Sequence, residues 1–199
     1  WSAVAVNLNS VGFNFTKEQL FTLAAVPGLT GATLRIIYSF VVPLFGGRNW
    51  TVLSTITLLI PAIGIGIAVQ DQNTPYETML LLALACGFGG GNFSSSMSNI
   101  SFFFPKKAQG TALGLNAGLG NLGVSALQFL VPVVIGASVF GDLSGASQTM
   151  TAADGATKTV WLQNAGFIWV IPIILCTLAA AFGMDNLKSA KTPLAEQLI

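Results

Sequence analysis

With 199 residues, 53% of them hydrophobic and only 8% charged, and a mean hydropathy of +0.73, the chain has the composition of a membrane protein and not of a soluble domain. A net charge of +1 leaves no basic surface for nucleic acid. Histidine, the commonest metal ligand and proton shuttle, is absent, and Cys86 and Cys176 sit in apolar segments without metal-ligand spacing, so neither metal nor cofactor is expected.

Read in order, Trp1 to Leu8 is a short apolar run with no basic region before it, unlike a secretion signal. A crossing needs roughly 20 helical residues, so this stub reads as the last turns of a truncated first helix. Asn9 to Thr16 is a polar connection, and the second span is expected over 20–45. The turn Gly46-Gly47-Arg48-Asn49 leads to a third span over 50–69, kinked at Pro61. After Gln70–Pro75 comes a fourth span over 76–104, ending at Pro105-Lys106-Lys107. The fifth is expected over about 108–139, and the sixth over about 161–184 after a polar Ser/Thr/Ala/Gly loop from Gly141 to Thr159. Residues 1–184 are thus expected to form one all-α transmembrane bundle, and 185–199 a polar tail. Arg48, Lys106, Lys107, Lys188 and Lys191 fall on one side, against Lys17 and Lys158 on the other. The positive-inside rule puts the first group, with the tail, in the cytoplasm.

The fifth span is unusual. GTALGLNAGLGNLGVSALQ, from Gly110 to Gln128, is apolar enough for a bilayer yet built on glycines and two asparagines. At helical spacing Gly114, Gly118, Asn121, Ser125 and Gln128 share a face, and Gly110, Gly114 and Gly118 repeat the spacing that lets another helix approach closely. Helix packing accounts for the glycines, and Asn116 suits a hydrogen bond to a neighbouring helix. Asn121 lies on the glycine face, where a ligand could reach it. A phosphate-cradling loop fits poorly, because no Gly-Lys-Ser/Thr ending follows.

Arg35 is the sharpest single signal. It lies roughly 15 Å in from Phe45 at 1.5 Å per residue, near the bilayer midplane, where an arginine costs about 2.5 to 3.5 kcal/mol on insertion scales. Its guanidinium cannot shed its proton. Glu18 and Glu77 sit at helix starts, Asp185 at a helix end, and Asp71, Asp142, Asp154 and Glu196 in loops or tail, so no carboxylate lies mid-span. The partner is backbone, a part of the protein outside this chain, or a bound anion, and a planar fork suits a planar oxyanion. Phe93, in GFGGGNFSSSMSN, falls at the same depth by count, and Asn121 close to it. Asn92, Ser95 and Asn99 form another stripe, read as interhelical hydrogen bonding.

These residues carry a resemblance. The chain resembles the N-terminal half of the bacterial nitrate/nitrite porters of the NarK/NarU type, in the major facilitator superfamily. The likeness rests on the signature GTALGLNAGLGNLG with Gly110, Gly114, Gly118, Gly120 and Gly123, on the midspan Arg35, and on Phe93 in GGGNFSSS. It implies a six-helix half of a multi-pass transporter in the bacterial inner membrane. Arg35 would bind the anion, Asn121 would hydrogen-bond it and Phe93 would pack on its flat face. The implied partners are nitrate, nitrite, the lipid bilayer and a C-terminal six-helix half reached through a cytoplasmic linker over 185–199. The expected state is a monomer, with no nucleic acid bound and no enzymatic activity. The superfamily's basic loop is reduced here to GGRN. With no Asp, Glu or His relay mid-span, nitrate/nitrite antiport is expected. Proton-coupled nitrate symport, carriage of another small anion, and an anion channel are the alternatives.

Overall fold

A computed structural model describes residues 1–152 and 154–186, and the fold is a helical bundle capped at one end by a β-hairpin. A short helix, α1 (Ser2–Ala5), and a 3-10 turn at Asn9–Val11 lead to the long α2 (Lys17–Phe45). Thr16 starts α2 with a reciprocal cap: its hydroxyl accepts from the Gln19 N–H at 3.2 Å, and the Gln19 side chain accepts from the Thr16 N–H at 2.9 Å. Glu18 in the first turn complements the helix dipole. The helix ends at Gly46, whose φ of 83° is open to glycine at little cost.

The third apolar run is two helices, α3 (Gly47–Ile56) and α4 (Leu59–Ala68). The expected kink at Pro61 is present one turn earlier, at Thr57–Leu58, because a proline loses its own hydrogen bond and crowds the carbonyl four residues back. The fourth run is also divided, at Gly87, into α5 (Tyr76–Cys86) and α6 (Phe88–Phe103). Helix α7 covers Lys106–Ile135. It stops short of the expected Val139, at Gly136, one turn after Pro132. The last apolar run comprises α8 (Asn164–Phe167) and α9 (Val170–Gly183).

An all-α architecture is corrected by the segment before α8. The loop expected over Gly141–Thr159 holds a 3-10 turn at Gly141–Ser144 and an antiparallel hairpin, β1 (Gln148–Thr151) with β2 (Thr157–Val160), Gln148 facing Val160. Threonine dominates these strands, QTMT and TKTV, as suits a short pleated ribbon. The tail expected from Asp185 lies, beyond Asn186, outside the described residues, as do Lys188, Lys191 and Glu196.

Among the described residues four helical runs are long and apolar enough to cross a membrane: Lys17–Phe45, Gly47–Ala68, Lys106–Ile135 and Asn164–Gly183. The α5–α6 pair, expected as a span, is not among them; its second half is rich in Gly, Ser and Asn. Large apolar side chains such as Phe21, Ile36, Phe129 and Phe182 face outward, the arrangement of a chain that meets lipid or further protein. The buried core gathers instead at the hairpin end, where Leu8, Leu23, Val69, Met79, Val160 and Leu162 are fully enclosed.

Candidate functional site

Helices α2 and α6 cross with almost nothing between their backbones. A Cβ built on Gly90 would lie 2.8 Å from the Gly31 Cα, one on Gly31 would lie 3.3 Å from the Gly90 Cα, and one on Gly87 would meet Thr30. Gly91 lies against the ring of Tyr38 on α2, and that ring stacks edge-on against Trp50 of α3 at 4.8 Å. Glycine at these positions lets the helices meet backbone to backbone.

That crossing sets the surroundings of Arg35. Its Nε–H donates to the Gly90 carbonyl at 3.2 Å, and its guanidinium carbon stands 5.4 Å from the centroid of the Phe93 ring. Of the three partners open to it, the structure supplies backbone, with an aromatic face beneath. The terminal guanidinium N–H groups have no partner among the described residues, and no described carboxylate pairs with the group. A guanidinium so held presents a planar, positively charged pair of donors to whatever lies beside Phe93.

Asn121 is placed differently. It is exposed on α7, its carbonyl accepts from the Ser125 hydroxyl at 3.4 Å, and no hydrogen bond among the described residues ties its side chain to Arg35 or Phe93. Asn116 does reach across, donating to the Ser96 hydroxyl at 3.0 Å on α6. The glycine face of α7 stays open within this chain: around Gly110, Gly114, Gly118, Gly120 and Gly123 a Cβ would meet nothing within 4 Å among the described residues. Close packing in this chain belongs to the glycines of α2 and α6. The stripe of Asn92, Ser95 and Asn99 departs from the interhelical reading. The Ser95 hydroxyl bonds the Asn92 carbonyl of its own helix, the buried Asn92 Oδ1 has no partner among the described residues, and Asn99 packs its side chain on Gly47.

Sequence reasoning missed the Gly90 carbonyl. The run GFGGG advertised close approach, but only the three-dimensional crossing shows that Gly31 is opposite and that Arg35 then falls within reach of that oxygen.

Comparison with known proteins decides the family. Across all of this chain, the nitrate/nitrite transporter NarU of Salmonella typhimurium is 56% identical over 198 residues, and that of Escherichia coli 54% identical over 200. The chain belongs to the NarK/NarU family. A probable nitrate/nitrite antiporter, NarK2, of Thermus thermophilus is 52% identical over 90% of the chain. No family model matches. These NarK/NarU relatives bear the names of transporters and not of enzymes. The chain spans about two fifths of their length, 42%, 42% and 40% in turn.

Proposed function

We propose that the chain is the N-terminal six-helix half of a major-facilitator nitrate/nitrite porter of the bacterial inner membrane. Residues 1–184 form the transmembrane bundle, 185–199 lead to a C-terminal half, and the whole works as a monomer by alternating access around a central anion site. Arg35 binds the anion, Phe93 packs on its flat face and Asn121 hydrogen-bonds it once the second half closes the site. The observation that carries this reading is the open guanidinium of Arg35, set on an aromatic ring in an apolar helix pair without a carboxylate partner among the described residues. The names of the NarU and NarK2 relatives point to the same anions. The open glycine face of α7 suits the approach of further helices.

For coupling, we propose one-for-one nitrate/nitrite exchange. Proton symport calls for an intramembrane relay. Glu18 and Glu77 occupy the first turns of α2 and α5, while Asp71, Asp142, Asp154 and Asp185 lie outside the long helices. The test is nitrate uptake by the full-length protein in liposomes, with and without internal nitrite and with and without a pH gradient. Uptake that needs internal nitrite and ignores pH supports exchange; uptake into empty liposomes driven by pH establishes symport. Single-channel conductance in a planar bilayer would establish a channel instead. In the same liposomes Asn121→Ala should weaken nitrate binding by about one neutral hydrogen bond, roughly 0.5 to 1.5 kcal/mol, and unchanged binding removes Asn121 from the site.

A further inference from the structure

A cavity of about 400 Å³ opens beside Phe93, lined by Ser39, Ser94, Ser98 and Ser101 together with Met97 and Leu113 of α7. Serines inside helices ordinarily donate their hydrogen to a carbonyl three or four residues back. Ser39 does so to Arg35 at 2.7 Å, and Ser101 to Met97 at 3.0 Å. Ser98 donates across the helix pair to the Ser39 carbonyl at 3.4 Å. These three hydroxyls have committed their hydrogens to carbonyls and have none left for an anion.

Ser94 differs. The carbonyl four residues back is that of Gly90, the same oxygen that takes the Nε–H of Arg35. The half-buried Ser94 hydroxyl has no hydrogen-bond partner among the described residues, and it lies on the cavity wall next to Phe93.

We propose that Ser94 is a hydrogen-bond donor to the transported anion, its hydroxyl uncommitted among the described residues beside the Phe93 ring. The inference rests on the anion reading of Arg35 and adds to it a neutral donor on the wall of the serine-lined cavity. An oxyanion held by the guanidinium fork over Phe93 then meets one hydroxyl hydrogen from α6.

The experiment is nitrate counterflow by the full-length protein in liposomes, reading KM and maximal rate separately. Ser94→Thr and Ser94→Val have the same shape and differ in the hydroxyl, so their ratio isolates the donor even if either substitution perturbs packing. The expected result is a nitrate KM roughly three- to tenfold higher for Ser94→Val than for Ser94→Thr, the size of one lost hydrogen bond, with Ser98→Ala within about twofold of the parent. Equal KM values for the Thr and Val variants, alongside a severe defect in Arg35→Lys, overturn the role of Ser94 and leave the anion reading standing. A normal KM in Arg35→Lys overturns the anion reading and the role of Ser94 with it.

Discussion

Lysine in place of Arg35 should raise the nitrate KM by about one to two orders of magnitude while the protein still folds and inserts. Hydrogen bonds to a charged group contribute about 1.5 to 3 kcal/mol, and the fork offers two of them in one plane. In the parent, Nε is spent on the Gly90 carbonyl while the terminal nitrogens stay open. A lysine ammonium is a compact charge on a flexible stem, so it cannot hold that carbonyl, lie flat above Phe93 and present a planar pair of donors all at once. KM and maximal rate of nitrate uptake, measured on full-length protein in liposomes, check this. An unchanged KM would remove Arg35 from the site and leave its midspan position without a function.

An alanine at Gly90 is the second large expected effect, and it acts through the backbone. The added Cβ would sit 2.8 Å from the Gly31 Cα, where no side chain can rotate away, so α2 and α6 must part. Overpacking of this kind costs about 1 to 3 kcal/mol. The separation also draws the Gly90 carbonyl away from Arg35, so transport should fall further than stability alone dictates. Gly28→Ala is the control, because on the facing helix α2 its Cβ meets nothing within 4 Å among the described residues. Thermal unfolding and nitrate uptake of both variants separate the two contributions. A Gly90→Ala protein that melts and transports like Gly28→Ala would mean that the crossing is not the framework of the site.

Much of the helix order was legible because hydropathy and punctuation agree. Pro75 and Pro105 stand immediately before α5 and α7, Gly46 closes α2, and Pro61 foretold the break in the third run. Its offset to Thr57–Leu58 follows from where a proline ring collides. The hairpin was not legible: QTMT and TKTV are four residues each, with no apolar alternation to separate them from a loop. Counting residues placed Arg35 and Phe93 at one depth, and the two are in contact. Counting could not bring Asn121 to them, since depth along a helix carries no information about which neighbour that helix faces. The glycines teach the same lesson. Their spacing states a capacity for close approach, which α2 and α6 use and α7 leaves open within this chain.

The hairpin end has a mechanical consequence. There amide side chains stitch separate elements to one another: Gln72 to the Val11 carbonyl, Gln148 to Val69, Gln163 to Ser144 and Ala146, and Asn164 to Val134 and Ala137. At the opposite end, near Gly46, the stitching is sparser among the described residues, with the Asn186 side chain on the Arg48 N–H and Gln109 on the Ser101 carbonyl. Among the described residues, the hydrogen bonds that join separate elements are thus concentrated at the hairpin end, and that end is the more strongly restrained. Arg35 lies nearer the sparsely stitched end, ten residues from Phe45 against eighteen from Lys17, so its hold on Gly90 falls in the half of α2 that the stitching restrains least.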